Sequence, residues 1–287
     1  MQNNRKRPLL GAHVSAAGGL SRAIKNAEEL GTTEVIQIFG ASPRQWRTKL
    51  PSRADVKEYK ETLKKSNVRS VYLHAAYLVN LAAADPHLYE KSVENLSAHL
   101  KITELIGAQG LVFHLGSDTD PDRSSALDRV IGGIKIVLKN VPGRSRLLME
   151  NSSGGGRKVG GSPEEIGKLL RGVPSRRIGV CLDTAHAYEA GEINYTPKSI
   201  RDFLKRWKSH IGLRNLIVVH ANDSQTPFAS GVDRHENIGR GYIGLKGFGN
   251  LAKEKSLWKA DWILEVPGFA NNGPDKKNLD TLRNCFK

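Results

Sequence analysis

Cysteine is nearly absent from this sequence: Cys181 and Cys285 are the only two among 287 residues, and they lie far apart. This scarcity excludes a disulfide framework and is typical of a protein from a reducing compartment. Long apolar stretches are also missing, because no run approaches the ~18 residues that a membrane span needs. No apolar segment of signal-peptide type follows the basic N-terminus. We therefore expect an intracellular, cytoplasmic protein that does not enter a membrane.

Acidic residues are outnumbered by basic ones, with 29 Asp and Glu against 44 Lys and Arg and a formal net charge of +15. Such a charge favours a polyanionic partner, for example nucleic acid. A generally basic proteome or an adaptation for solubility would explain the same imbalance. Residues 1–7, which include Arg5, Lys6 and Arg7, are predicted to form a flexible basic arm.

Short apolar segments alternate with amphipathic segments along the whole chain. Eight of them are rich in Val, Ile and Leu, as parallel strands buried on both faces are; they lie at Leu9–Val14, Glu34–Phe39, Ser70–His74, Gly110–His114, Arg146–Glu150, Ile178–Asp183, Leu216–His220 and Asp261–Glu265. The helical pattern is clearest over Gly19–Leu30, Leu88–Ile106 and Ala126–Leu138. Unbroken alternation of this kind predicts an α/β protein, a single (β/α)8 TIM barrel over residues 1–287. An open doubly wound sheet is the alternative, but the GxGxxG pattern common after its first strand is missing.

Nine residues of metal-binding type follow these strands or lie in the loop after the seventh. They are five histidines and four carboxylates, namely His74, His114, Glu150, Asp183, His186, His220, Asp233, His235 and Glu265. In a parallel barrel the C-terminal ends of the strands share one face, where the active site is built. Nine ligands are too many for one ion, and the mixture of imidazole and carboxylate suits zinc and its first-row neighbours. The pattern predicts a cluster of divalent metals at this face.

Each of these residues also has a simpler interpretation when taken alone. Asp183 and His186, for example, could be a helix N-cap and a surface residue. The simpler interpretation requires the same coincidence at six of eight strands, so we favour the metal cluster. Three other histidines, His87, His99 and His210, are predicted to be surface residues. His13 ends the first strand and is expected on the active face, as a hydrogen-bond donor behind the ligands or a substrate contact.

Two loops are longer than usual for such connections, and long loops in compact domains tend to bind or catalyse. Gly40–Arg53 follows the second strand and Ala221–Gly244 follows the seventh.

Several long motifs resemble those of the endonuclease IV family of apurinic/apyrimidinic endonucleases, and they occur in the family's order. They are GAHVSAAGG near the N-terminus, CLDTAHAYEAG around Asp183, HANDS around His220, DRHENIGRG around Asp233 and LEVPG around Glu265. The likeness runs from about Leu10 to Glu265.

The resemblance implies three Zn²⁺ ions held by the same nine residues, with another metal such as Mn²⁺ as an alternative at one or more sites. His74, His114 and Glu150 would hold the first ion. Glu150 would also bind the second, together with Asp183, His220 and Glu265, and His186, Asp233 and His235 would hold the third. Glu150 and Glu265 are the predicted catalytic residues.

The resemblance also implies DNA contacts and an activity. Arg44, in the SPRQWRTK segment, matches a residue that enters the minor groove, and Tyr77 matches one that enters the gap left by the damaged nucleotide. The implied reaction is hydrolysis 5′ to an abasic site in double-stranded DNA, during base excision repair, by a monomer. It leaves a 3′-hydroxyl and a 5′-deoxyribose phosphate, and 3′-phosphodiesterase or 3′→5′ exonuclease activity could accompany it.

Some positions depart from the family's pattern without losing a ligand: Leu115, Ser152, Ala221 and Val266. Changes beside metal ligands can alter metal affinity or rate by ~10–100-fold. Two alternatives stay open at this point. One is a sugar isomerase or epimerase like xylose isomerase, on the same barrel, and the other is a noncatalytic protein that binds abasic DNA.

Overall fold

The computed structural model describes residues 6–31, 33–118 and 122–287. Within them, eight parallel strands close into a barrel in the order β1-β10-β7-β6-β5-β4-β3-β2. The barrel strands are β1 (Leu10–His13), β2 (Val35–Phe39), β3 (Ser70–His74), β4 (Gly110–His114), β5 (Arg146–Glu150), β6 (Ile178–Asp183), β7 (Leu216–His220) and β10 (Asp261–Leu264). β8 (Asp223–Ser224) and β9 (His235–Glu236) form a small antiparallel pair inside the loop after β7. The predicted TIM barrel is confirmed, and each strand ends within one residue of its predicted position.

The helices surround the barrel and pack on it through one face each. Their bounds are α1 (Leu20–Glu29), α2 (Arg53–Lys65), α3 (Pro86–Ile106), α4 (Arg123–Asn140), α5 (Pro163–Gly172), α6 (Thr184–Glu189), α7 (Pro197–His210), α8 (Gly244–Ala252) and α9 (Lys276–Asn284). α3 begins two residues before the predicted start because Asp85 caps it and Pro86 occupies its first turn. None of the described helices is both long and apolar enough to cross a membrane.

Side chains from every strand fill the barrel, so its interior is a packed core. One inward-facing set is fully or almost fully buried and consists of Leu9, Val35, Tyr72, Val112, Leu148, Cys181, Val218 and Ile263. The other faces of the strands pack against the helices in a second, larger apolar core. Because both faces of each strand are covered, the strands are mainly apolar between their ends, and Gln37 in β2 is an exception.

His99 was predicted to be a surface residue, and this prediction is wrong. It lies in α3 with 0% exposure, between the buried Leu96 and Leu100 on the face that packs inward. Burial lowers the pKa of His99 to about 4, so the ring is neutral at pH 7. His87 is exposed and His210 is half-exposed.

Of the predicted basic arm, residues 1–7, the structure describes only residues 6 and 7, since residues 1–5 lie outside the described residues. At its end, the Arg7 guanidinium donates to Glu34 Oε2 at 2.5 Å and to the Pro8 carbonyl at 2.9 Å. Arg7 is therefore attached to the barrel.

Candidate metal centre

All nine predicted ligands lie together at the C-terminal end of the barrel. Five of them are the last residues of strands β3 to β7, and Glu265 comes directly after β10. His186 lies in α6, whereas Asp233 and His235 come from the long loop after β7. Since parallel strands end at one rim of a closed barrel, residues more than 190 positions apart in sequence are brought within contact distance.

The first group of ligands consists of two imidazoles and one carboxylate. His74 Nε2 and His114 Nε2 both lie 3.1 Å from Glu150 Oε2. The ring of His74 is oriented by its Nδ1, which lies 2.8 Å from the Ala75 carbonyl oxygen. Such a backbone contact fixes the tautomer of a metal-binding histidine and leaves Nε2 to the ion.

The second group shares Glu150 with the first. His220 Nδ1 lies 2.8 Å from Glu150 Oε1, 3.2 Å from Glu265 Oε2 and 3.9 Å from Asp183 Oδ2. One ligand atom from each of these four residues falls within 4.8 Å of the others. The two oxygens of Glu150 therefore face two different groups, so Glu150 could contribute one oxygen to an ion in each group.

The third group lies between α6 and the loop after β7. His186 Nε2 is 3.1 Å from Asp233 Oδ2, and His235 Nε2 is 3.8 Å from Asp233 Oδ1 and 3.6 Å from Asp183 Oδ2. Among the described residues, the buried His235 Nε2 has no hydrogen-bond partner. Asp183 also lies within reach of His186 and His235, so it stands between the second and third groups.

Asp183 is both the N-cap of α6 and a member of the cluster. Its Oδ1 accepts a hydrogen bond of 2.8 Å from the His186 backbone N–H and so caps α6. Its Oδ2 faces His220 and His235 in the cluster. The cap interpretation of Asp183 is therefore correct and compatible with metal binding, whereas the interpretation of His186 as a surface residue is wrong, because His186 is buried.

The histidines and carboxylates of the cluster shift one another's pKa values. Burial alone would raise the pKa of Glu150, but the imidazoles of His220 and His114 hold it well below its usual range. Burial likewise opposes charging of His186, yet Asp183, Asp233 and Glu150 raise the pKa of this histidine well above its ordinary value. Positive charge on His186 and His220, whose pKa values are both raised despite burial by neighbouring groups that include the carboxylates, offsets part of the negative charge of the cluster. A cation can take the place of the protons on these imidazoles, and the mixed nitrogen and oxygen donors fit zinc or a neighbouring transition metal.

Three buried amides behind the ligands were not found by sequence analysis. Gln37, in β2, donates to Glu265 Oε1 at 2.5 Å, and its Oε1 lies 2.9 Å from His220 Nε2. Asn222 donates to Asp183 Oδ2 at 2.6 Å and accepts from the Glu265 backbone N–H at 2.8 Å. The signal was present in the sequence, since Gln37 is the one polar residue in the strand VIQIF.

Asn151 is the third of these amides and follows Glu150 directly. Its side-chain oxygen accepts from the Asp183 backbone N–H at 2.7 Å, and its backbone carbonyl lies 2.9 Å from His186 Nδ1. It therefore links the ends of β5 and β6 and orients a predicted ligand of the third group.

His13 lies on the active face, as expected. Its Nδ1 is 3.4 Å from Glu265 Oε1 and 3.1 Å from Gln37 Nε2, so it contacts a ligand and a residue behind it.

A buried carboxylate holds the loop that carries Asp233 and His235. Glu189 accepts hydrogen bonds from Ser224 Oγ at 2.8 Å and from the Arg234 backbone N–H at 3.2 Å. Burial raises the pKa of Glu189 to about 7. This loop is thus attached to α6, which contributes His186 to the same group.

The residues that depart from the family's pattern have two kinds of surroundings. Leu115, Ala221 and Val266 are buried in the apolar core beneath the cluster, with at most 1% exposure. The buried Ser152 Oγ has no hydrogen-bond partner among the described residues and lines a cavity beside the ligands. The three apolar side chains therefore pack among apolar neighbours, and Leu115 also lines this cavity.

A cavity of about 290 Å³ opens beside the first and third groups. Its lining includes Tyr77, His114, Glu150, Asp233 and Lys158. The volume is at the lower end of the range of ~300–1,000 Å³ for small-ligand pockets.

The two predicted DNA contacts lie beside each other at the mouth of this site. The Tyr77 side chain is 56% exposed, and its backbone N–H donates to the Pro43 carbonyl at 3.1 Å. Arg44, next in the chain to Pro43, is exposed. The loop after β2 is held from below by Asn95 of α3, which donates to the Trp46 carbonyl at 2.8 Å. An exposed aromatic ring and an exposed guanidinium are thus presented on attached loops.

Comparison with known proteins finds relatives that match this chain over nearly its whole length. A family profile described as "Xylose isomerase-like TIM barrel" matches residues 20–285. The chain is 38% identical to "Probable endonuclease 4" of Halothermothrix orenii, with 96% of this chain and 99% of that protein covered. It is 36% identical to the protein of the same name from Aquifex aeolicus, with 97% and 98% covered.

Comparison with solved structures agrees with the sequence comparison. Endonuclease IV from Thermus thermophilus superposes with a TM-score of 0.85 at 35% identity, and 97% of this chain and 98% of that chain are covered. A D-tagatose 3-epimerase-like protein has a TM-score of 0.72 at 17% identity, with 96% of each chain covered. At that low identity the second likeness concerns the barrel alone.

Proposed function

This chain belongs to the endonuclease IV family of DNA-repair nucleases, and we propose that it hydrolyses the phosphodiester bond 5′ to an abasic site in duplex DNA. The products are a 3′-hydroxyl and a 5′-deoxyribose phosphate. The enzyme acts as a monomer in base excision repair, and the same site can trim 3′-blocked ends. As a family member it is a metal-dependent hydrolase of DNA.

The observation that carries the proposal is a row of three ligand groups that share Glu150 and Asp183. We assign one Zn²⁺ to each group, with Mn²⁺ as an alternative at one or more of them. Such ions supply an activated water and neutralise negative charge on a phosphoryl group. The donor types and the unpartnered His235 Nε2 support this assignment.

Individual residues of the site have distinct roles in the proposed reaction. Glu150 and Glu265 are the catalytic carboxylates, and Gln37 orients Glu265 through its 2.5 Å hydrogen bond. His186 and Asp233 line the cavity, and together with His235 they would face the oxygen of the leaving group. The closely packed apolar residues below the cluster keep bulk water from reaching it from the barrel side.

Selectivity for damage follows from the cost of distorting DNA. An abasic nucleotide has lost its base stacking, so extruding it toward the cavity costs less than extruding an intact nucleotide. Tyr77 is placed to enter the gap and Arg44 to enter the minor groove, which stabilises the distorted duplex. The net charge of +15 adds attraction for the phosphate backbone.

An oligonucleotide duplex that contains a tetrahydrofuran abasic analogue tests the function. We expect zinc-loaded protein to cut it once, on the 5′ side of the analogue, and to leave the undamaged duplex intact. An uncut duplex overturns the proposal. Tight binding without cleavage would then indicate a noncatalytic binder, and turnover of ketoses or aldoses would indicate a sugar isomerase.

Tyr77→Ala is expected to weaken binding of the abasic duplex by roughly 10- to 100-fold, because a stacked aromatic ring contributes about 1–3 kcal/mol per base. Tyr77→Phe keeps the ring and should bind within about threefold of wild type. Fluorescence anisotropy at a fixed salt concentration measures both. An alanine variant that binds abasic DNA as tightly as wild type would show that Tyr77 lies outside the interface.

A further inference from the structure

We propose that Lys158 is a further substrate-binding residue, whose ammonium group contacts a phosphate oxygen of the damaged strand inside the cavity. The inference rests on the proposed function, because it takes DNA as the ligand. Lys158 lies in the loop after β5, in the sequence GGGRKVGG, and sequence analysis did not single it out. Among the described residues that line the cavity, it is the only lysine or arginine.

The side chain points to the third ligand group. Lys158 Nζ donates to Ser153 Oγ at 2.8 Å and lies 3.6 Å from Asp233 Oδ2. An ammonium group has three N–H donors, so these contacts leave capacity for an oxygen of an incoming ligand. The Lys158 side chain is 35% exposed, which places its charge at the boundary between the cavity and solvent.

The backbone of Lys158 is fixed from both sides. Residues Ser117 and Lys158 form an antiparallel bridge next to β4, and the Val159 N–H donates to the Gly116 carbonyl at 2.9 Å. On the other side, Arg123 donates to the Lys158 carbonyl at 2.7 Å and to the Arg157 carbonyl at 3.0 Å. A rigidly held lysine loses less conformational entropy when it binds a ligand than one on a mobile loop does.

The glycines of this loop explain how the lysine comes so close to Asp233. Gly154 and Gly156 have positive φ values of 78° and 59°, a left-handed conformation that glycine adopts readily in tight turns. Gly155 packs against the other loop so closely that a Cβ atom there would lie 2.0 Å from the Gly231 carbonyl oxygen. The loop after β5 therefore rests directly on the loop that carries Asp233.

The charge balance of the cavity favours a phosphate as the ligand. Glu150 and Asp233 line it together with His114 and His186, so metal ions offset the carboxylates when they are bound. The ammonium of Lys158 then becomes an additional positive charge that faces the substrate. A lysine is a compact cation that pairs readily with phosphate oxygens.

The test compares Lys158→Met and Lys158→Arg with wild type, all loaded with zinc. For the methionine variant we expect kcat/KM on the tetrahydrofuran duplex to fall about tenfold, mainly through KM, because one charge-assisted contact is lost. The slope of log KM against log salt should decrease in magnitude by about one. Lys158→Arg should restore most of the affinity. Lys168→Met, at an exposed position of α5, is the matched control and should behave as wild type.

Binding to an already incised duplex separates this inference from the function itself. If wild type binds that duplex but cuts no abasic DNA, the proposed function fails, and the salt dependence of binding still decides the role of Lys158. Zinc content and thermal stability are measured for each variant. An unchanged KM and salt slope would overturn the inference, as would a methionine variant that changes zinc content while its DNA affinity stays the same.

Discussion

Replacing Glu150 with glutamine is expected to reduce incision of abasic DNA by about 10²–10³-fold or more, the cost of removing a single preorganised electrostatic group from an active site. Glu150 is almost fully buried, and its two oxygens face different ligand groups, Oε2 toward His74 and His114 and Oε1 toward His220. Glutamine keeps the shape but loses the charge, and its amide nitrogen cannot bind a metal as a carboxylate oxygen does. The first two groups are therefore weakened together.

The measurement is single-turnover cleavage of the tetrahydrofuran duplex, with zinc content determined for each protein. Glu61→Gln, on the exposed surface of α2, makes the same chemical change away from the site and should cut at the wild-type rate. A Glu150→Gln protein that retains more than about a tenth of wild-type activity would show that this carboxylate is not catalytic.

Removing the metal is expected to abolish incision and to lower the thermal stability. Five histidines and four carboxylates converge, five of the nine residues are buried, and protons compete for the same nitrogen and oxygen atoms when the ions leave. Binding to the folded state alone stabilises it by about 2.7 kcal/mol per ion at a free metal concentration of 100 Kd. For a chain of this size that corresponds to a change in Tm of roughly 5 °C per ion.

The experiment compares chelator-treated protein with the same sample after zinc is restored. Incision and Tm should both return, and metal analysis should give close to three zinc ions per chain. Loading should weaken as the pH is lowered, because protons compete for the imidazole nitrogens. One ion per chain or none, with full activity, would contradict the assignment of three groups.

The fold and the convergence of the nine candidate ligands could be predicted from sequence because both depend on local patterns. A strand buried on both faces must be apolar, so a histidine or carboxylate at its end is conspicuous, as at His74 or His220. In a parallel barrel all such ends share one rim, so the pattern also places them together. The motifs of the family agree with this pattern, and the resemblance to endonuclease IV is confirmed.

The contacts around the ligands were decided by the tertiary structure, since each joins elements far apart in the chain. Gln37 was not singled out in the sequence, and its contacts with His220 and Glu265 form only when the barrel closes. His99 was predicted to lie at the surface because it falls within a helical segment that also carries polar side chains. The packing of α3 against the barrel decides which face is buried, and that face includes His99.

The role of Lys158 likewise could not be predicted from the sequence. Its sequence neighbours, GGGR and VGG, are typical of an exposed loop, and nothing local indicates a cavity. The position of its side chain depends on the close contact of Gly155 with Gly231 and on the hydrogen bond from Arg123 to the Lys158 carbonyl. Both contacts form only in the folded protein. The sequence alone determined the barrel, the family and the set of nine candidate ligands that meet at one rim. The tertiary structure decided which side chains support those ligands and which cation faces the substrate, because those choices depend on distances between loops that sequence periodicity does not encode.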